Sequence, residues 1–307
     1  MSGLSVSPPT PIPILGRQLW GWRSQARDRA LDVGIDPQEV DWLLQRLGGI
    51  DRLTLRLAGR QLPETFTLDC SLDDLDRLWT RRWRDRVPLQ YLVGTVPWRH
   101  FNLLVSPAVL IPRPETEAII DIAREAAEVK SGGIWVDLGT GSGAIALGLA
   151  EAFLDASIVA VDASEEALAV ARANAERCGL VDRLRWCHGS WFEPLQSLKG
   201  KVRGLVSNPP YIPSDEVLEL QPEVTRHEPH LALDGGTDGL DALRHLADTA
   251  PDYLADGGIW LVEHMAGQSE AVRDLLQRRG CYRNVRAIAD FAGIDRFVLA
   301  DFDANLG

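Results

Sequence analysis

Several things are missing from this chain, and each absence narrows the field. The four cysteines (Cys70, Cys178, Cys187 and Cys281) are scattered, with no C-x-x-C pair and no histidine at ligand spacing. That argues against a disulfide framework or a zinc site, and makes structural thiols in a reducing cytosol the expected reading. The six histidines show no metal-like spacing either, so no metal is expected. Met1–Gly16 contains four prolines but no lysine or arginine, and so lacks the charged start of a secretion signal. No apolar run approaches the roughly 18–20 residues that span a bilayer. The expected location is the cytoplasm, away from membranes. There is no internal repeat and no low-complexity tract.

Positive charge is also short. Lysine and arginine number 32 against 44 aspartates and glutamates, a formal net charge of −12. Residues 1–88 hold 13 basic and 12 acidic residues, leaving 19 and 32 for residues 89–307. Tight nucleic-acid binding needs several phosphate-neutralising cations, which so acidic a region does not offer. A basic protein partner suits it better, and no direct nucleic-acid partner is expected.

What is present reads as two domains in 307 residues. Residues 1–16 read as a flexible tail. From Leu19 to about Arg86 the pattern is helical, with Val40, Leu43, Leu44 and Leu47 at i, i+3, i+4 and i+7, which predicts about four short helices. Asp36-Pro37 offers an N-cap and first turn, and Ser71 starts a helix that ends among Arg81, Arg82, Arg84 and Arg86. That cluster is either a solvated helix end or a docking surface. Residues 1–88 are thus read as a helical substrate-docking domain. Residues 89–112 read as a β-hairpin connector, with strands at Gln90–Gly94 and Phe101–Val105.

Residues 113–307 alternate strand and helix. A helix is predicted over 116–130. Strands are predicted near 134–138, 158–162, 183–187, 202–207, 258–263, 283–288 and 295–300, with helices near 144–153, 165–178, 239–254 and 268–279. Repeated β-α units imply an α/β, Rossmann-like, mainly parallel seven-stranded sheet with helices on both faces. The last two runs are close enough in sequence to add an antiparallel edge pair.

Two loops carry chemistry. The first strand runs into Gly139, Thr140, Gly141, Ser142 and Gly143, glycines that allow positive φ and close backbone approach to a ligand. Asp162 closes the next strand, where its carboxylate suits ribose hydroxyls. Gly139, Gly141 and Ala144 also satisfy the dinucleotide fingerprint, so the turn alone leaves the cofactor open. Asp137 tips the balance: an anion inside the turn suits a cationic ligand better than a pyrophosphate. The second loop is Asn208-Pro209-Pro210-Tyr211, after the strand 202–207. Two prolines fix an extended bend that continues neither helix nor ladder. It holds no nucleophile, acid or base, and looks like a clamp for a planar nitrogen. The Asn208 side-chain oxygen and the Pro209 carbonyl would accept the N–H bonds, and the Tyr211 ring would pack on the acceptor.

The D-x-G-x-G-x-G turn joined to Asn-Pro-Pro-Tyr resembles the class I S-adenosyl-L-methionine-dependent methyltransferases. The resemblance extends along nearly the whole chain. It takes in the helical domain, Pro88–Gly94, Val105-Ser106-Pro107, Leu110–Glu117, Trp191-Phe192, Ser207–Ile212, Glu228-Pro229 and Ala232–Leu240. In these features the chain is similar to the HemK/PrmC family of peptide chain release factor glutamine N5-methyltransferases. The resemblance implies methylation of the side-chain amide in the Gly-Gly-Gln loop of class I release factors. Gly139, Thr140, Gly141, Ser142, Gly143, Asp162, Trp191 (beside the adenine) and Asn208 would contact S-adenosyl-L-methionine. Asn208, Pro209, Pro210 and Tyr211 would hold the glutamine, with Asn208, Pro209 and Tyr211 catalytic, in an enzyme acting as a monomer. The Arg113–Glu117 segment would close over the methionine end. Glu263, at a strand end, reads as structural.

Two positions depart from the family pattern. Ser190 replaces the aspartate often found before Trp-Phe, and Met265 replaces a glycine after the fifth strand. The alternatives are a nucleic-acid N-methyltransferase acting on an exocyclic base amine, disfavoured by charge, and a non-catalytic cofactor-binding scaffold, disfavoured by the intact clamp.

Overall fold

The computed structural model describes residues 11–57, 62–127 and 132–306. The chain divides into two compact units between Gly94 and Thr95.

In the first unit, β1 (Ile12–Leu15) leads into α1 (Gly16–Asp32), α2 (Gln38–Gly48), α3 (Arg52–Leu57), β2 (Thr65–Leu68), α4 (Leu72–Asp85) and α5 (Leu89–Val93). The apolar stripe of α2 buries Val40, Leu43 and Leu44 against Leu19, Trp22, Leu75 and Trp79. Ser71 caps α4 as expected, its hydroxyl accepting from the Asp74 N–H at 3.1 Å. Inside the basic cluster, Arg82 is buried and makes a bidentate pair with Glu39 at 2.5 and 2.7 Å. Part of that cluster is therefore internal structure.

Two expectations for this region are corrected. The tail expected over 1–16 includes a strand: β1 pairs antiparallel with β2, Ile12 opposite Leu68 and Leu15 opposite Thr65, and buries Ile14 against the helices. Residues 1–10 lie outside the described residues. The strand expected at Gln90–Gly94 is α5, begun at Pro88 and ended by Gly94 at φ 78°. The hairpin starts one element later, β3 (Thr95–Trp98) pairing with β4 (Phe101–Leu104).

The second unit continues through a 3-10 turn (Glu115–Glu117) into α6 (Ala118–Ala127); the end of the helix predicted to 130 lies outside the described residues. There follow β5 (Gly133–Leu138), α7 (Ala144–Ala152), β6 (Ala156–Asp162), α8 (Glu165–Arg177), β7 (Leu184–His188) and β8 (Val202–Ser207). Then come α9 (Ser214–Val217), α10 (Pro222–His227), α11 (Asp241–Thr249), β9 (Leu254–Glu263), α12 (Ser269–Arg279), β10 (Tyr282–Ala289) and β11 (Asp295–Phe302). The seven-stranded sheet has the order β10-β11-β9-β8-β5-β6-β7. Strands β9, β8, β5, β6 and β7 are parallel, and β11 and β10 add the antiparallel edge the sequence suggested. Continuous runs such as Val159–Val161 and Ile259–Val262 are buried because both faces of the sheet are covered. Gly204 is required by packing: a Cβ there would stand 2.2 Å from the buried Trp135 ring.

From β5 the chain moves outward to β6 and β7, then returns to β8 on β5's other side. That reversal opens a crevice at the carboxyl ends of β5 and β8, where open α/β sheets bind ligands. Among the described residues no helix is long and apolar enough to cross a membrane.

Candidate active site

Past β5 the glycines take positive φ at Gly139 (73°), Gly141 (54°) and Gly143 (84°). The N–H groups of Gly139 and Thr140 both donate to the Val161 carbonyl at 2.9 Å, pulling the turn across β6. Asp137 corrects one expectation. Its fully buried carboxylate accepts from the Thr140 hydroxyl at 2.6 Å and the Ala146 N–H at 3.0 Å, on the same oxygen. It staples the turn to α7 from behind and does not line the ligand cavity. The cause is strand alternation, which turns this side chain into the protein. Burial pushes its pKa up to about 7, against the opposing effect of those two donors. Asn174, also buried, supports the turn from α8, donating to the carbonyls of Ser142 and Leu104 at 2.9 and 3.0 Å.

Asp162 ends β6 half-buried. One oxygen accepts from Gly141 N–H at 2.8 Å and the other from Ser164 N–H at 2.9 Å, so the carboxylate is held by backbone while each oxygen keeps a lone pair. Trp191 sits in the left-handed region at φ 50° with its ring over Gly139, where an added Cβ would lie 3.7 Å from it. His245 of α11 stands tilted beside it, ring centroids 6.4 Å apart. Ser190 is exposed at the cavity, its N–H donating to Glu193 at 3.1 Å.

At β8 the Ser207 hydroxyl donates to the Leu138 carbonyl at 2.6 Å, tying together the strand ends that carry the two loops. The Asn208 amide nitrogen donates to the Thr116 hydroxyl at 3.3 Å. Tyr211 donates its hydroxyl to Glu263 at 3.2 Å, and its carbonyl accepts from Gln268 Nε2 at 2.9 Å. The same Gln268 takes the Met265 N–H at 3.0 Å, so half-buried Met265 is accommodated through its backbone. Ile212 is held to the 233–235 segment by hydrogen bonds to Leu233 and Gly235 at 3.0 and 2.8 Å.

Gly139, Thr140, Gly141, Ser142, Asp162, Trp191, Asn208 and Pro210 line one cavity of about 430 Å³, within the usual size of small-molecule sites. Gly143, Pro209 and Tyr211 do not line it. Gly143 packs against Ala171, Pro209 is buried, and the Tyr211 ring lies against the core with its hydroxyl turned to Glu263. Other walls went unread in the sequence, among them Leu231, Ala242 and His245. Nor did the sequence show how the 111–113 segment is anchored. Glu228 accepts from Arg113 at 2.7 Å and from the Ile111 N–H at 3.2 Å, its side chain almost wholly buried. The pair Glu228-Pro229 belonged to the resemblance, but nothing local assigned it a partner.

The donor set fits S-adenosyl-L-methionine. A carboxylate with free lone pairs stands at the strand end that suits a ribose, an indole face and apolar walls suit a purine, and positive-φ glycines leave the backbone open to the rest. Residues 136–227 match the model of a methyltransferase domain. Over 94% of this chain and 97% of its own length, the release factor glutamine methyltransferase of Synechocystis sp. is 48% identical. That of Gloeobacter violaceus is 48% identical over 91% of this chain and 95% of its own. Among solved structures, the hMettl16 catalytic domain in complex with MAT2A 3′UTR hairpin 6 superposes with a TM-score of 0.54, covering 76% of this chain and 82% of that one. At 12% identity it shows a shared fold alone. The protein is an S-adenosyl-L-methionine-dependent methyltransferase, and such identity along nearly its whole length means that the chain belongs to the release factor glutamine methyltransferase family.

Proposed function

We propose that this enzyme methylates the side-chain amide nitrogen (N5) of the glutamine in the Gly-Gly-Gln loop of class I release factors, in the cytoplasm. The observation that carries the reading is the Asn208 amide at the cavity wall, its nitrogen committed to Thr116 and its oxygen left without a partner among the described residues. An amide nitrogen is a poor nucleophile because its lone pair is delocalised. Two acceptors holding its N–H bonds, Asn208 Oδ1 and the Pro209 carbonyl, would aim that lone pair and favour a more tetrahedral nitrogen. S-adenosyl-L-methionine, when bound, supplies an electrophilic methyl group on a sulfonium. In the exchange a C–S bond breaks, an N–C bond forms, and one amide proton passes to water. Asp162, Trp191 and the Gly139–Ser142 backbone bind and orient the donor; Pro210 completes the clamp around the glutamine, and Tyr211 anchors the tetrapeptide from behind through Glu263.

The unit before the hairpin is assigned the docking of the release factor, through exposed cations such as Arg81 and Arg84 and not through buried Arg82. The acidic balance of residues 89–307 supports a protein acceptor over a nucleic acid. The deciding measurement is mass spectrometry of release factors from cells lacking this protein. The Gly-Gly-Gln glutamine should be unmethylated, and methylated again when the protein is restored. Full methylation in its absence refutes the assignment.

A further inference from the structure

The β10–β11 hairpin at the sheet edge is polar along its strands and apolar at its tip. Toward the end away from the site, Arg283, Asn284 and Arg286 are exposed. At the tip, Phe291-Ala292-Gly293-Ile294 is an exposed run with no polar side chain, Phe291 at 74% and Ile294 at 42%. Single exposed apolar residues are ordinary, but a contiguous run of them marks a surface meant to be covered.

This tip is held from below. Asp290 is buried, its Oδ1 accepting from the Ala292 and Ile294 N–H groups at 2.8 and 3.0 Å and its Oδ2 from Arg296 Nε at 2.9 Å. The Asp290 N–H in turn donates to the Ile294 carbonyl at 2.8 Å. A loop so tied presents its apolar face ready-made, and a partner that covers it has little chain left to order.

Strand register places the tip at the active-site edge. Ser207 pairs with Val262, and Glu263 with Phe297, so the clamp beginning at Asn208 is level with the start of β11. Two strand spacings, about 10 Å, separate them across the sheet. Ile294 precedes Phe297 by three residues, so the tip overhangs that edge by about 10 Å. The His264 N–H donates to the Arg296 carbonyl at 2.9 Å, which brings the 265–267 loop alongside. There half-buried Met265 and exposed Ala266 carry the apolar surface on toward Gln268, which holds the Tyr211 carbonyl. Met265 is one of the two departures from the family pattern, and this surface gives it a use.

A glutamine side chain reaches the clamp only if the backbone that bears it crosses this edge. We propose that Phe291 and Ile294, extended by Met265, dock an apolar patch of the acceptor protein beside its glutamine loop. The inference rests on the proposed function, in which the acceptor is a folded protein. It gives the second unit its own hold on that protein, one that salt does not screen as it screens the exposed cations of the first.

The test compares wild type with the double variant Phe291→Ser/Ile294→Ser, on whole release factor and on a short Gly-Gly-Gln peptide. Both side chains are exposed, so the melting temperature and the Kd for S-adenosylhomocysteine should match wild type. KM for whole release factor should rise about 10-fold or more, as for the loss of an interface anchor, and the rise should persist at high salt. Its kcat, and kcat/KM for the peptide, should stay within about twofold. Equal losses on both acceptors overturn the proposal. So does a wild-type dimer in sedimentation that the substitutions dissolve, since a second copy of the chain would then be what covers the tip. A whole release factor methylated equally well by both enzymes refutes the docking surface alone. If wild type leaves whole release factor unmethylated, the acceptor reading fails and the docking surface with it.

Discussion

Two buried carboxyl groups back the two halves of this active site, and they work in different ways. Asp137 lies behind the glycine turn and Glu263 behind the clamp. Both are 0–1% exposed, both are pushed up to about 7 by desolvation, and each has one oxygen without a hydrogen-bond partner among the described residues. Asp137 reaches only three and nine residues along its own chain, to Thr140 and Ala146. Glu263 reaches 52 residues back to Tyr211. The first staples a loop whose backbone does the binding. The second anchors a side chain that comes from a distant loop.

The sharpest way to break this comparison is Asn208→Ala. It should cut kcat by about 100-fold or more, as losing a preorganised hydrogen-bond partner of the reacting group does. Cofactor affinity, measured by calorimetry, should change by no more than about threefold, because the turn stays intact. Equal losses in both would erase the division of labour. On the other side, Gly143→Ala should act through the fold. At φ 84° with a Cβ 3.1 Å from Ala171, alanine there should cost ~1–3 kcal/mol of stability and weaken cofactor binding, read by thermal melts with and without S-adenosylhomocysteine. The effect expected from Asp137→Asn is confined to the pH dependence of stability. A carboxyl held near 7 when folded and near 3.8 when unfolded makes wild type less stable as pH rises through that window, because the folded state binds the extra proton. Asparagine, its oxygen accepting both existing hydrogen bonds, should flatten that dependence by ~2–4 kcal/mol at most. Urea melts from acid to neutral pH check it, and an unchanged slope would remove Asp137 as the cause.

What was legible in the sequence follows the same line. The seven strands and the glycine turn are carried by contiguous apolar runs and local spacing, and the structure has them within a few residues. The site residues read from those loops mostly share one cavity. What escaped depends on distant partners or on direction. Strand β1 is a strand only because Thr65–Leu68 lies beside it. The run Leu89–Val93 looks β-prone in Tyr91, Leu92 and Val93, yet Pro88 and Gly94 close a single helical turn around it. Arg82 read as part of a solvated helix end until Glu39, 43 residues away, was seen against it. Asp137 was placed correctly in the turn but pointed the wrong way, since a sequence gives a residue's position on a strand more readily than the face it occupies.

Gln268 carries one more consequence, in the order of synthesis. The clamp sequence is complete at residue 211, but the carbonyl of Tyr211 is held by Gln268 and its hydroxyl by Glu263. A ribosome making this enzyme therefore releases the tetrapeptide long before the residues that shape it. Until β9 and the start of α12 have emerged, the nascent chain carries the motif without its geometry, and methyl transfer must wait for nearly the whole protein.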